Sequence, residues 1–578
     1  MRPGQVIVLA TPVFLGLIAL EFAVGRARAR RGTGTDTYRL ADTVNSIGLG
    51  MLSQISAVLT GLLRIGIYTA VYASLALVPH QAAETFWTTW YGWLLALVFY
   101  DFCYYWLHRM GHEVAVLWAA HVVHHQSQHY NLSTALRQTS SGALLGWVFY
   151  LPMALAGVPP LVFGVVALID LLYQFWVHTE QVGKLGWFDR WFCSPSNHRV
   201  HHAVNDRYLD RNYGGILVVW DRLFGTFREE DERCVYGTRS PLASWDPLWA
   251  NAEVYAGLAR DAWHARRWAD KVRVWFKPPG WRPADVAERF PKPAFDIAAV
   301  TRYEPAVGRG VQIVAALQFL VLLGGVALFL WTADGLPRAT AIVWLAVLTT
   351  ALWAIGAVLQ GRLGLGEALM VESAALATAS AALGLTALHQ VFKPATLAVA
   401  IVLVAARARR TGAGGRFGLY FLLALAGSLA GDVLLMLPGL FVPGLVAFLL
   451  AHLAYIAHFR QGVGLFPRRG PLLATLAVGA GMYAFLWWGG LPPALRAPVA
   501  AYVVVIACMA AQAIGRSAVV GDAASRWVAV GAGFFMLSDA LLATNRFVMP
   551  LPMAPLWVLG TYYAAQVLIV RHARPSPA

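Results

Sequence analysis

Charged side chains are scarce in this sequence. Asp, Glu, Lys and Arg together make up 13% of the 578 residues, whereas 58% of the residues are hydrophobic. A soluble domain cannot bury that much apolar surface, so the composition predicts an integral membrane protein. Acidic residues are scarcer than basic ones, 30 against 45, which gives a net charge of +15. Because the basic residues collect in loops, we interpret this excess as the positive-inside signal of membrane topology and expect no nucleic-acid partner.

Cysteine is also rare. The four cysteines, Cys103, Cys193, Cys234 and Cys508, are far apart and form no C-x-x-C pair. This usage gives no sign of a disulfide framework or a zinc ribbon. Any metal chemistry must therefore use other side chains.

Long apolar runs, by contrast, are abundant. We count fifteen, and several reach the roughly twenty residues that a helix needs to cross the hydrocarbon core. The first, residues 6–23, precedes the basic stretch GRARARR and predicts an uncleaved anchor with its basic flank in the cytosol. Later runs expected to cross include 86–107, 142–157 and 160–178. The one long polar region, residues 179–307, is expected to lie in the cytosol or at the membrane interface.

Histidines recur at short, regular spacings in the first half of the chain. The stretch DFCYYWLHRMGH, residues 101–112, places two histidines four residues apart. The spacing H-x-x-H-H then occurs twice, starting at His121 and again at His198, and His178 closes the crossing between them. The topology brings all of them to the same face of the membrane, which we expect to be cytosolic. The nine candidate metal ligands are His108, His112, His121, His124, His125, His178, His198, His201 and His202.

Nine imidazoles are too many for one four-coordinate zinc ion. They suit two metal ions with four or five nitrogen ligands each, and imidazole is a common ligand of iron. A single histidine that faces the membrane is more often a hydrogen-bonded core residue, but three close-spaced histidine boxes favour a metal site. An oxygen-activating di-iron centre gives that site a purpose. His129 is either a residue that orients a ligand or a surface residue, whereas His80, His264, His389 and His572 match no spacing.

The boxes resemble those of the fatty acid hydroxylase and sterol desaturase superfamily. The stretches that follow the last box, W220-DRLFGTF and F276-KPPGW, are similar to the alkylglycerol monooxygenase branch, over about residues 40–375. This resemblance implies non-haem iron, O2 and a tetrahydropterin reductant. It also implies hydroxylation of the carbon beside the ether oxygen of a glyceryl ether, and collapse of the hemiacetal to a fatty aldehyde. By box matching it makes eight of the nine histidines ligands; His178 is added from the topology.

Two later apolar runs each carry an aspartate, Asp432 and Asp539. An ionisable group in a membrane span is costly and is by default a functional hypothesis. The topology places both near the same ends of their crossings, and Lys393, His452 and Tyr455 lie on neighbouring runs. The structural alternative is that each aspartate caps or pairs a helix. We favour a catalytic pair.

This half of the chain resembles the lysoplasmalogenase family over about residues 386–572. The matching stretches are K393-P, S428-LAGD, H452-LAYIAHF and S538-DALLATNRF, the last of which adds Asn545 as a supporting residue. The resemblance implies hydrolysis of the vinyl ether of a lysoplasmalogen. Paired carboxyl groups fit that reaction, because one protonates the vinyl carbon and the other guides water to the resulting cation. Which aspartate is the acid stays open.

The sequence therefore predicts an all-α polytopic membrane enzyme of ether-lipid breakdown, acting on a membrane lipid and needing an unidentified electron donor. We expect an anchor and basic loop at 1–40, a histidine-box hydroxylase domain at 41–385 and a second multi-spanning domain at 386–578. A bacterial inner membrane is the expected location. One alternative is a di-iron hydroxylase or desaturase of a sterol, carotenoid or fatty acyl lipid with a non-catalytic C-terminal domain. A transporter with a histidine relay is another.

Overall fold

The computed structural model describes residues 3–411 and 416–574, and over these residues the chain is helical. Extended segments pair only at two isolated bridges in the part that is described, Phe192 with Leu217 and Ala203 with Tyr236. The predicted all-α membrane fold is confirmed. By its internal packing the chain divides into two units, Met1–Arg362 and Leu363–Ala578.

Within the described residues, the first unit contains sixteen α-helices, joined by loops and short 3-10 turns. They are α1 (Pro3–Arg30), α2 (Leu40–Leu75), α3 (His80–Trp87), α4 (Trp90–Glu113), α5 (Ala115–His125), α6 (Leu132–Ala135), α7 (Gly142–Leu145), α8 (Leu151–Leu155), α9 (Pro160–Trp176), α10 (Pro195–His202), α11 (Val219–Leu223), α12 (Pro247–His264), α13 (Trp268–Phe276), α14 (Ala284–Arg289), α15 (Arg309–Thr332) and α16 (Arg338–Leu359).

The second unit, over the part that is described, is a bundle of eight helices. They are α17 (Leu365–Ala382), α18 (Thr386–Thr411), α19 (Arg416–Met436), α20 (Phe441–Phe459), α21 (Arg469–Trp488), α22 (Pro493–Val520), α23 (Ala523–Phe547) and α24 (Ala554–His572). The unit begins earlier than the boundary expected after residue 385, because α17 packs against α18 and α24. The buried Met370, Ala374 and Ala377 of α17 belong to the same apolar core as Leu397 and Phe421.

Nine helices in the described ranges are long and apolar enough to cross a membrane, and α2, which bends by 43°, gives a tenth if its two parts form one span. The nine are Gly4–Arg30, Arg309–Gly335, Arg338–Leu359, Thr386–Arg410, Gly418–Met436, Phe441–Phe459, Arg469–Trp488, Pro493–Val520 and Ala523–Phe547.

The apolar run at 142–157 does not form one helix of spanning length. It breaks into α7, a 3-10 turn at Gly146–Tyr150 and α8. Glycine is a poor helix former and proline lacks the amide hydrogen that a helix interior needs, so Gly146 and Pro152 account for the interruption. The run at 160–178 forms the short helix α9, and His178 follows its end.

Polar and aromatic residues share the surface of the region from 179 to 307. Four aromatic side chains of α12 and α13 are exposed: Trp249, Trp263, Trp268 and Phe276. Lys271 lies over the ring of Trp268. Aromatic rings beside cations are typical of segments at the headgroup level, so an interfacial position stays our expectation for this region.

Close packing inside the first unit makes one glycine difficult to replace. A Cβ atom at Gly356 of α16 would collide with the carbonyl oxygen of Trp245, which already accepts a hydrogen bond of 2.9 Å from the Asn45 amide. We expect Gly356→Ala to lower the free energy of unfolding by about 1–3 kcal/mol, as overpacking does. Thermal unfolding of the purified protein in detergent measures this loss.

The matched control is Gly324→Ala on α15, where a Cβ atom meets nothing within 4 Å. This change should leave the melting temperature unaltered or raise it slightly, because alanine is the better helix former. Equal melting temperatures for the two variants would contradict the packing described for α16.

Candidate functional site

Nine histidines from four segments meet inside the first unit. Two lie on α4, three on α5, one just after α9 and three on α10. The short helix α10 begins at a capped turn: the Ser194 hydroxyl accepts a hydrogen bond from the Asn197 amide, and Pro195 occupies the first helical position. A helix with histidines at i, i+3 and i+4 presents all three on one side.

The histidines form two groups, in each of which one nitrogen per ring lies within 4.8 Å of the others. The five-histidine group contains His108, His112, His121, His125 and His201, and the four-histidine group contains His124, His178, His198 and His202. These are the nine residues that the sequence singled out, and the structure brings all of them together. Two groups of this size match the expected division of ligands between two metal ions.

The Nε2 atoms face each other at distances that suit shared coordination. The Nε2 atoms of His121 and His125 are 3.1 Å apart, and the Nε2 atom of His178 is 3.1 Å from those of both His124 and His198. Two nitrogens bound at right angles to one ion at about 2.1 Å are separated by roughly 3.0 Å.

Four further Nε2 atoms, those of His108, His112, His201 and His202, are buried and have no hydrogen-bond partner within the described residues. A buried nitrogen without a partner is costly, so a metal-binding role explains these four better than a structural one.

Hydrogen bonds at Nδ1 orient the rings. The Nδ1 atom of His108 is 2.8 Å from the carbonyl oxygen of Tyr213, and that of His124 is 3.0 Å from the carbonyl of Arg137. His178 and His201 make equivalent contacts with the carbonyls of Gln174 and Arg211. A carbonyl only accepts, so Nδ1 carries the proton and the Nε2 lone pair is left for a metal.

Burial keeps these imidazoles neutral. Loss of hydration and the neighbouring histidines lower the pKa values of five rings well below the ordinary histidine value: His121, His125, His198, His201 and His202. Burial lowers the pKa of His124 to about 4. The neutral ring is the form that binds a metal, so the site does not need to release protons to do so at pH 7.

Asp221, in the stretch W220-DRLFGTF after the last histidine box, holds the turn that contains the Tyr213 carbonyl. The Asp221 carboxylate accepts hydrogen bonds of 2.8 Å from the amides of Tyr213 and Gly214. Asp101 accepts from the amide of Ile216 and from the indole of Trp220. Together these two buried acids hold the turn whose Tyr213 carbonyl contacts His108. From the sequence, the stretch W220-DRLFGTF indicated only a family resemblance, and the roles of Asp101 and Asp221 were not predicted.

Glu21 of α1 is a further residue that the sequence analysis missed. Its buried carboxylate accepts hydrogen bonds from the Tyr38 hydroxyl, the Leu132 amide and the Thr179 hydroxyl. Thr179 directly follows His178, so the first helix supports the four-histidine group in addition to anchoring the chain. An acid inside an apolar run was the available signal.

The remaining histidines lie outside both groups. His129 is buried and its Nε2 is 3.3 Å from a carboxylate oxygen of Glu304. Its carbonyl accepts from the Ser127 and Thr134 hydroxyls, so it belongs to the loop beside the site and supplies no ligand atom to it. His80, His264, His389 and His572, which were set aside from their spacing, belong to neither group.

The second unit encloses a cavity of about 1040 Å³ that both predicted aspartates line. On α19, Asp432 is buried, lies 3.4 Å from the Lys393 ammonium and accepts a hydrogen bond of 2.7 Å from the Tyr562 hydroxyl. On α23, Asp539 accepts a hydrogen bond of 2.5 Å from the Tyr502 hydroxyl. Each carboxylate therefore has a tyrosine donor, and the sequence analysis had singled out neither tyrosine.

Of the four supporting residues predicted from the sequence, two line the cavity and two do not. Lys393 lines the cavity from within α18, seven residues after the helix begins. His452 is 3.0 Å from the Tyr502 hydroxyl and 3.7 Å from Asp539. Tyr455 does not line the cavity; it donates to Gln566. Asn545 lines the cavity, and its side-chain oxygen Oδ1 accepts a hydrogen bond from the Leu551 amide.

Comparison with known proteins assigns each half separately. The model of the fatty acid hydroxylase family matches residues 93–226, and that of the YhhN family matches residues 388–573. An alkylglycerol monooxygenase of Danio rerio is 35% identical over 63% of this chain and 79% of its own length. Lysoplasmalogenase TMEM86B of Homo sapiens is 39% identical over 27% of this chain and 63% of its own length. The enzyme of the same name from Sus scrofa is 39% identical over 29% of this chain and 70% of its own length. No solved structure matches the chain significantly.

The fold and the two histidine groups define a helical membrane protein of the fatty acid hydroxylase class, fused to a second helical membrane domain. More narrowly, the chain belongs to the alkylglycerol monooxygenase family and, in its C-terminal part, to the YhhN family of lysoplasmalogenases.

Metal content tests the histidine groups directly. Full-length protein purified without chelator should contain about two irons per chain, since imidazole suits iron and two ligand groups are present. His201→Ala, which removes a ligand atom from the five-histidine group, should reduce the iron content to about one. Elemental analysis by mass spectrometry gives the ratio.

His264→Ala is the control, because His264 lies on α12 outside both groups; its ring contacts the Arg260 carbonyl through Nδ1 and packs against Phe290. It should retain the full iron content. An unchanged iron content in His201→Ala would show that this residue is not a ligand.

Proposed function

We propose that the first unit is a non-haem di-iron monooxygenase that hydroxylates the carbon beside the ether oxygen of alkylglycerols. The observation that carries this proposal is the pair of histidine groups with their unpartnered, buried Nε2 atoms. The names of the relatives support the substrate class.

A bound iron pair would supply the ability to insert one atom of O2 into an unactivated C–H bond. Reduction of the second oxygen atom to water needs two electrons, which we assign to a tetrahydropterin or to another donor. The residues of this chain hold the ligand rings in one orientation through their Nδ1 bonds and keep the centre out of water. The hydroxylated product is a hemiacetal, which breaks its bond to glycerol and releases a fatty aldehyde.

We further propose that the second unit hydrolyses the vinyl ether of lysoplasmalogens at Asp432 and Asp539. The supporting observation is that two carboxyl groups from different helices line one cavity, each with a tyrosine hydroxyl as donor. One carboxyl group would protonate the vinyl carbon distal to the oxygen, and the other would accept a proton from the attacking water. The hemiacetal then releases a fatty aldehyde and the glycerophosphate head of the lipid, which carries no hydrocarbon chain.

Both activities belong in a multi-pass membrane protein. We place the histidine groups on the cytosolic face of a bacterial inner membrane, because the basic stretch GRARARR follows the first crossing and later basic clusters fall on the same side. The substrates are lipids of the surrounding bilayer.

Separate loss of the two activities tests this division. Asp432→Asn and Asp539→Asn should each lower kcat for lysoplasmalogen hydrolysis by about 10²–10⁴-fold, because an amide neither donates nor accepts the required proton. Both variants should retain oxidation of alkylglycerols, whereas His201→Ala should show the reverse pattern. Release of fatty aldehyde from each substrate measures the two rates.

Asp522→Asn is the matched control on α23. Asp522 caps the helix by accepting a hydrogen bond from the Ser525 amide and does not line the cavity. Asparagine is an equally good cap, so both activities should persist. Hydrolysis at the normal rate by Asp539→Asn would exclude the carboxyl mechanism.

A further inference from the structure

The cavity of the second unit is long, and its lining is mostly apolar apart from a few charged and polar side chains. Along α22 its lining extends from Val499 to Ile514, a separation of fifteen residues, which corresponds to about 22 Å of helix. The part toward Ile514 is lined by apolar residues such as Val478, Ile506 and Ala510. A single hydrocarbon chain fits such a channel.

The polar lining follows an order along α23. Asp539 lies in the middle of the cavity wall, and Arg546 lies seven residues further on, beside the end of the helix at Phe547. Seven residues are two turns, so both side chains leave the same face of α23, about 10 Å apart along its axis. From the Ile514 end toward Phe547 the lining thus offers mostly apolar surface, then a carboxyl pair and then a guanidinium group.

Arg546 is a cation with free hydrogen-bonding capacity. Its guanidinium group lies over the ring of Phe441 at 3.9 Å and is exposed. No carboxylate of the described residues is within 4.0 Å of the Arg546 guanidinium group. Lys393 also lines the cavity, but its ammonium group is paired with Asp432. An arginine held flat by an aromatic ring keeps its planar donors available for an anion.

We propose that Arg546 binds the phosphate of a lysophospholipid and makes the cavity selective for phosphate-bearing ether lipids over neutral alkenylglycerols. The inference rests on the proposed hydrolase function and names the headgroup that its site accepts. A lysoplasmalogen has a hydrocarbon chain, a vinyl ether, a glycerol and a phosphate in that order. The cavity presents apolar surface, Asp432 with Asp539, and Arg546 in the same order. Guanidinium groups bind phosphate through paired, charge-assisted hydrogen bonds.

Binding and turnover are measured on the full chain. For binding, the probes are a saturated 1-alkyl lysophospholipid, which has no vinyl ether to hydrolyse, and the matching 1-alkylglycerol without phosphate. For turnover, the substrates are a lysoplasmalogen and the matching 1-alkenylglycerol. The variants are Arg546→Ala, Arg546→Lys and Arg496→Ala. Arg496 is the control: it stacks on Trp487 at 3.8 Å near the start of α22 but does not line the cavity.

Arg546→Ala should weaken binding of the lysophospholipid by about 10- to 100-fold and raise KM for the lysoplasmalogen to a similar extent, with little change in kcat. Binding and turnover of the phosphate-free lipids should not change. Arg546→Lys should restore part of the affinity, because lysine keeps the charge without the planar pair of donors. Arg496→Ala should behave like the wild type. Lipid that binds elsewhere on the protein binds the wild type and Arg546→Ala equally, so the difference in affinity between the two reports on this site alone.

Equal losses for phosphate-bearing and phosphate-free lipids would overturn the inference, as would no loss for either. Tight, Arg546-dependent binding of inorganic phosphate alone would make the site one for a free anion and would also overturn it. If the wild type binds the lysophospholipid through Arg546 but hydrolyses no vinyl ether, the hydrolase proposal fails and the headgroup site stands.

Discussion

The hydrogen bond from a histidine Nδ1 atom to a main-chain carbonyl is the interaction on which the first unit depends. It decides which ring nitrogen carries the proton, and so it leaves the other nitrogen as a metal ligand. The carbonyl must itself be held in place, because a loop that moves takes its ring with it. Asp221 holds the turn of Tyr213, and the buried guanidinium group of Arg137 donates to the Val123 carbonyl and to Asn45. The position of the histidine rings therefore depends on the polar residues that hold these loops.

The two units solve the same physical problem by different means. A polar group away from water must find a partner or change its charge state. In the first unit neutral imidazoles face one another, and a bound metal ion would be their shared partner. In the second unit each carboxylate is matched by a tyrosine hydroxyl, and Asp432 also by a lysine. Both proposed reactions open an ether of glycerol and release a fatty aldehyde, so one chain would degrade saturated and vinyl ethers alike.

Local spacing was enough to find eight of the nine histidines, and the expected topology added His178. Two i, i+3, i+4 boxes on helices place their side chains together wherever the helices go, and all nine candidates meet in the structure. The aspartates were found because an acid in an apolar run is conspicuous. Tyr502 and Tyr562 were missed, since a tyrosine in a membrane helix is common and only the tertiary fold shows which carboxylate it faces. The run at 142–157 was misjudged because its overall hydrophobicity outweighed the glycines and the proline that interrupt it. Asp101 and Asp221 act through the folded turn, which has no local signature.

Glu21 has a consequence for how the protein is made. Its partners Tyr38, Leu132 and Thr179 follow it by 17, 111 and 158 residues in the chain. During synthesis from the N-terminus, the first helix must therefore enter the bilayer while two of the three groups that will hold its carboxylate do not yet exist. An unpaired acid is least costly near the end of a span, where it can reach the headgroups and water. Glu21 lies two residues before the end of the apolar run at 6–23 and five before Arg26, where the basic stretch begins. This position allows the helix to insert early and its carboxylate to gain its partners later.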